Sequence, residues 1–185
     1  MTTPEPDTPV QEPSPIAKLA QVIGQAARFT GDLHGLGAGE RAALARLDPD
    51  GDWRPDQIAA LTRACIQAGL EPEHWSPTAW RRWALIAHGM ALAGHAVGPL
   101  GNQLCAAGIA ESRVTKLLTA RGEAFRQLLP RLLRLLAAKE TAPNWYELGA
   151  LILAEGRDEA QAEVLRMKIA GRYFPALAKA DKSAA

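Results

Sequence analysis

The chain has 185 residues, 48% of them apolar and 22% charged, with a formal net charge of +1. That length supports one large or two small cores and the composition is ordinary for a globular protein, so neither a disordered chain nor a fibrous one is expected. No apolar run approaches the roughly 18 residues that a bilayer crossing needs. The Pro- and acid-rich start lacks the basic and apolar blocks of a secretory signal, so a cytoplasmic address is expected.

Residues 1–15 hold five prolines and almost nothing apolar, a composition that cannot offset the entropy of ordering and predicts a disordered tail. From Ile16 the apolar residues Leu19, Ala20, Ile23 and Ala27 recur at three- and four-residue steps, which predicts a helix ending near Phe29. The glycine-rich stretch Gly31–Gly39 reads as a loop. A short helix over 40–47 is stopped by Asp48-Pro49-Asp50-Gly51, and another runs from Pro55 to about Ala68, with Gly69 as its stop. Ser76-Pro77 is an N-cap followed by a first-turn proline and opens a helix to about Gly94. That helix is apolar on opposite sides, with Trp80, Trp83 and Met90 against Leu85 and Leu92, so it belongs in the middle of a core. Residues 95–98 form a hinge. Further helices are predicted over 100–107, 111–120, 123–139, 144–154 and 157–174, the last stopped by Pro175. No stretch alternates with period two and no repeat is visible. The expected fold is all-α: eight or nine helices in two packed bundles, 16–96 and 97–185, behind the tail 1–15.

The charge is unevenly placed. Residues 113–139 contain seven bases and one acid, Glu123. On a helical wheel of 123–139, Phe125, Leu128, Leu129, Leu132, Leu133, Leu135 and Leu136 fill an arc of about 160°, while Arg126, Arg131 and Arg134 lie on the complementary arc. A solvated face normally mixes signs to gain pairs at four-residue spacing, and here the acids are nearly absent. A second stripe joins Arg157, Gln161, Lys168 and Arg172. Most of the bases are arginine, whose planar fork grips phosphate oxygens and stacks on bases. Such faces suit a nucleic-acid backbone held without sequence readout; an acidic protein partner and plain solvation are the alternatives. A helix-turn-helix around Ala107-Gly108-Ile109 is a further option, although few base-reading side chains open its second helix.

Catalytic and metal motifs are missing from the sequence. His34, His74, His88 and His95 have no HExxH spacing, Cys65 and Cys105 have no CxxC spacing, and there is no phosphate-binding glycine loop or nucleophile elbow. A reduced pair of buried thiols, no cofactor, no metal and no enzymatic activity are expected.

Four segments, in order, resemble the CasB family, the small subunit of the type I-E CRISPR surveillance complex (Cascade). Gly39-Glu40-Arg41-Ala42-Ala43-Leu44-Ala45-Arg46 is similar to an early G-x-R-A-x-L-R-R stretch, with Ala45 in place of its first paired arginine. Leu100-Gly101-Asn102-Gln103-Leu104-Cys105-Ala106-Ala107-Gly108, followed by Arg113 and Leu117-Leu118, is similar to L-G-x-x-L-A-x-x-G, then an arginine and a leucine pair. Leu132-Leu133-Arg134-Leu135-Leu136 leads to Asn144-Trp145, and Arg166–Phe174 is similar to a C-terminal basic-aromatic helix. The resemblance implies two helical bundles and no catalytic residues. It implies other Cascade subunits as partners, contact with CRISPR RNA and target DNA, and copies meeting head to tail. The residues it matches are Arg46, Arg113, Arg134 and Arg172, with Lys168 alongside; Arg121, Arg126 and Arg131 join them from charge and wheel position alone.

Overall fold

The structure is a computed structural model and describes residues 14–25 and 36–184. Most of the proline-rich tail, the expected end of the first helix near Phe29 and the glycine-rich stretch to Gly35 with His34 lie outside the described residues. Among those described there are nine α-helices and no strand: α1 (Pro15–Gln25), α2 (Ala38–Ala45), α3 (Pro55–Gln67), α4 (Pro77–Ala93), α5 (Leu100–Ala106), α6 (Glu111–Thr119), α7 (Gly122–Ala138), α8 (Trp145–Ala154) and α9 (Glu159–Ala184). A short 3-10 turn, Pro72–His74, lies between α3 and α4. The all-α expectation holds.

Local chemistry sets the helix ends. Ser76 Oγ accepts the Ala79 N–H at 3.2 Å, Pro77 opens α4, and Gly94 closes it at φ +75°. At the end of α5, the Ile109 N–H reaches the Leu104 carbonyl and the Gly108 N–H reaches that of Cys105. This closure needs a left-handed residue, and Gly108 adopts φ +63°. The end of α7 uses the same pair of bonds around Glu140, a non-glycine residue at φ +52°.

Helix α4 is the hub. Trp83 through Ala91 are all buried, and the helix packs against α1, α2, α7 and α8. The apolar residues on its opposite sides therefore face different neighbours, as the sequence predicts. Trp145 sits over Gly89, where an added Cβ would run into its ring, and its indole N–H donates to the Gly94 carbonyl at 2.8 Å. Trp75 stacks on Trp83 with centroids 5.6 Å apart, and Trp80 meets Trp75 edge-on. Trp83 and Trp145 belong to the core, and Trp53, Trp75 and Trp80 are partly buried against it. Buried residues from α1 to α9 form a single cluster. The connection from α4 to α5 is pinned: Gln103 Nε2 donates to the Ala96 and Val97 carbonyls, Asn144 Nδ2 donates to Gly98, and the Ala96 N–H donates to Pro143.

Two sequence expectations need correction at the C-terminal helix. Pro175 does not stop α9, which runs on to Ala184. Proline costs about 3 kcal/mol inside a helix, but Ala176, Ala178 and Ala180 are the strongest helix formers, and Leu177 packs against the core. Helix α9 also starts later than expected, at Glu159, because Asp158 Oδ1 accepts the Gln161 N–H at 2.9 Å and caps it. Arg157 falls in the preceding turn and leaves the stripe with Lys168 and Arg172.

Cys65 and Cys105 are both free; Cys65 is buried, and burial pushes its thiol up to about 12, while Cys105 is half-buried. His88, buried in α4, has Nδ1 3.1 Å from the Leu44 carbonyl. Burial holds its pKa below the ordinary 6.5, as does the nearby Arg134 charge, against the Leu44 bond and Asp48. The half-buried His95 is lowered by burial as well. Since the folded chain binds these protons less readily than the unfolded chain, stability is full above about pH 6.5 and falls as the pH drops below it. Urea midpoints measured between pH 7.5 and 5.5 should decline in the native chain, and the slope should flatten in a His88→Gln, His95→Gln variant.

Candidate nucleic-acid interface

Helix α7 divides as its wheel predicts. Phe125, Leu129, Leu132, Leu133 and Leu136 are buried, Leu128 and Leu135 partly so, while Arg126, Arg131 and Arg134 are exposed. The fold then deals these arginines to different neighbours. Arg131 turns toward α6, where Arg113 and Lys116 join it along a groove of about 430 Å³. The rest of the groove wall is Ala124, Gln127, Leu128 and Leu132, with no carboxylate. Three cations from two helices therefore line one trough with a partly apolar floor. None of the three makes an ion pair among the described residues. Unpaired guanidinium and ammonium groups along a trough are a ready seat for phosphate oxygens.

The other candidates stand apart from this trough. Arg126 lines a recess between α4 and α7 with Arg81 and Arg82, which also holds Asp50 and Glu155. Arg81 donates to the Asp50 carbonyl at 3.0 Å and Arg82 to the Glu155 carbonyl at 2.6 Å. Burial lowers the Arg82 pKa, followed by the charges of Arg157 and Arg126. Arg134 folds back along its helix, its Nε donating to the Pro130 carbonyl at 3.2 Å. Arg121 is engaged within the chain: it bonds the Leu118 and Ala120 carbonyls at the end of α6 and pairs with Glu163 at 3.0 Å. Lys168 pairs at 3.0 Å with the buried carboxylate of Glu147, which also accepts the Leu100 N–H. Arg46 is exposed at the C-cap of α2, and Arg172 is exposed on α9.

The trough thus unites Arg113 and Arg131 of the expected set and adds Lys116. Lys116 belongs to the basic run 113–139, but the wheel argument stops at the helix after it. Arg81 and Arg82 are also brought near Arg126 by the fold, and nothing in their local sequence announces that neighbour. Arg166 reads from sequence as part of a basic-aromatic helix, yet it is buried against Glu155.

Residues 40–174 match the family described as CRISPR-associated protein Cse2 (CRISPR_cse2). The chain belongs to the Cse2 family. Cse2, also called CasB, is the small subunit of the type I-E Cascade. Family membership makes this chain a CRISPR Cascade subunit with structural rather than enzymatic standing, and other Cascade components are its partners. The Cse2 match spans the trough, α4 and most of α9, from Glu40 to Phe174. No curated protein and no solved structure matches the chain. Among the described residues no helix is long and apolar enough to cross a membrane, and no group of three or more His, Cys, Asp or Glu is placed to hold a metal ion.

Proposed function

We propose that this Cse2 chain holds nucleic-acid backbone in the α6–α7 trough and so stabilises the opened DNA of the assembled Cascade. The observation that carries this reading is the convergence of Arg113, Lys116 and Arg131 on one groove without an acidic wall. Guide RNA pairing reads the sequence, so the protein needs only to neutralise phosphates that the pairing has positioned. Arg126 and Arg134 on the same helix, with Arg46 and Arg172 elsewhere on the surface, extend the contact to CRISPR RNA, target DNA and the displaced strand. Arg121 and Lys168 contribute less, because each has a carboxylate partner within the chain. Copies of the chain sit head to tail along the complex.

The trough has a direct test. Combining Arg113→Glu, Lys116→Glu and Arg131→Glu should reduce binding of the purified chain to single-stranded and double-stranded nucleic acid. The log–log salt slope should fall by about 2–3, close to one for each lost phosphate contact. R-loop formation by Cascade assembled with this variant should weaken in parallel. If the variant folds normally and both measurements stay at the native level, the trough is not the interface. If the native chain leaves nucleic acid unshifted in a gel and co-purifies with an acidic protein through Arg113, Lys116 and Arg131, the groove belongs to that protein instead.

A further inference from the structure

Among the described residues, the buried side-chain nitrogens without a hydrogen-bond partner belong to Arg41, His95 and Arg166. Arg166 sits in its ion pair with Glu155. The other two, Arg41 Nε and His95 Nε2, belong to residues that line one cavity of about 350 Å³. Gln21, Met90 and Tyr146 complete its main walls, and no carboxylate lines it. Arg41 makes no ion pair among the described residues. The cavity draws on α1, α2, α4 and α8, whereas the basic trough lies on α6 and α7.

Local chemistry makes both orphaned atoms donors. His95 Nδ1 accepts the Trp145 N–H at 3.3 Å. An amide N–H only donates, so the neutral ring carries its proton on Nε2. Burial keeps this ring below its ordinary pKa of 6.5 despite the Pro143 carbonyl beside it. Tyr146 meets the imidazole edge-on, with centroids 4.7 Å apart. The Arg41 guanidinium is always charged and has no acceptor atom, so its Nε donates too. Buried donors without acceptors are costly. Two of them beside an uncompensated positive charge call for an acceptor that is itself negative. Phosphate presents tetrahedral oxygens in several directions and can take bonds from α2, from the α4–α5 link and from the Tyr146 hydroxyl together. A carboxylate offers two oxygens in one plane.

We propose that this cavity is a phosphate-binding site in which Arg41 and His95 donate to the oxygens of one phosphate group. Free phosphate and a phosphate within a nucleic-acid strand present the same chemistry to these donors. With one guanidinium and one imidazole as the main contacts, Kd for inorganic phosphate is on the order of 1 mM. The site needs none of Arg113, Lys116 and Arg131, so it does not rest on the trough.

Titration of the full-length chain with inorganic phosphate, at constant ionic strength and about pH 7.5, should be followed by NMR. The His95 side chain and the Tyr146 amide should shift saturably, while the His88 side chain, bonded to Leu44, stays still. His95→Asn can keep an acceptor for the Trp145 N–H but has no atom at the Nε2 position. Arg41→Met removes the guanidinium. Each should weaken binding about tenfold, the effect of losing one charge-assisted hydrogen bond. Arg41→Met should also melt no lower than the native chain without phosphate, because it deletes a buried donor that has no acceptor. Should it fail to fold, Arg41→Lys, which keeps the charge but loses the Nε donor, should show the weakening. A short single-stranded oligonucleotide added to the Arg113→Glu, Lys116→Glu, Arg131→Glu chain separates the sources. Displacement of phosphate from His95 assigns the site to a strand, and no displacement assigns it to free phosphate. Absence of a saturable shift overturns the proposal, since solvent then satisfies both donors. So does binding that is unchanged in both variants. Acetate binding as tightly as phosphate overturns it in favour of a carboxylate from a protein partner.

Discussion

Arg166→Leu is expected to destabilise the fold by about 3–5 kcal/mol, the cost of stranding one member of a buried ion pair. Arg166 is 2% exposed and Glu155 5% exposed, and Arg166 Nη2 pairs directly with Glu155 Oε2. Glu155 also joins three segments: its Oε1 accepts the Gly122 N–H at 2.8 Å, and its main-chain carbonyl accepts from Arg82. Removing the guanidinium leaves this carboxylate inside the protein with one amide donor for company. Glu159 and Glu163, each 3.7 Å from Arg166 Nη1, would lose this cation as well, with Glu163 keeping only Arg121 as a partner. Chemical denaturation should therefore show a large drop in midpoint for Arg166→Leu. The double variant Glu155→Gln, Arg166→Met should recover much of the loss, because no buried charge is left unpaired. A loss below about 1 kcal/mol in the single variant would mean that the pair is not structurally important.

Gly101→Ala is the second large effect, at about 2–3 kcal/mol, from overpacking a contact that cannot yield. A Cβ at residue 101 would collide with the Ile169 carbonyl oxygen and would lie 2.6 Å from the Tyr173 nitrogen and 2.8 Å from Arg172 Cβ. The first two obstacles are backbone, so no rotamer change relieves them. Helix α9 would have to lift away from α5, against the Tyr173 hydroxyl that donates to the Ile109 carbonyl at 2.7 Å. Gly39→Ala and Gly171→Ala provide the contrast, because nothing lies within 4 Å of a Cβ at either position. Both are in helices, where alanine is favoured by about 1 kcal/mol, so they should match or exceed native stability. Thermal melts of the three variants should separate Gly101 from the other two; equal midpoints would refute the close approach of α5 and α9.

Much of this architecture is legible in the sequence because local rules agree with the fold. Ser76-Pro77 marks the start of α4, Gly94 and Gly108 mark ends, and the leucines of α7 point inward where the wheel puts them. What sequence reading misses depends on partners far along the chain. Glu163 reaches Arg121 from 42 residues away, so a base that looks free in its own helix is partly neutralised by another. The same holds for Lys168, whose partner Glu147 lies on a different helix. Pro175 is a strong local stop signal, yet tertiary packing of Leu177 and good helix formers beyond it carry α9 through. The α6–α7 trough is intermediate: its bases stand out as a charge run, but only folding puts Arg113, Lys116 and Arg131 along one wall.

The segment between α4 and α5 has a mechanical consequence. Its carbonyls at Ala96, Val97 and Gly98 are each held by a side chain of Gln103 or Asn144, and its Ala96 amide is tied to Pro143 just before α8. A stretch of chain anchored at four points behaves as a weld rather than a tether. Swinging α4 away from α5 at this segment would first have to break those four bonds.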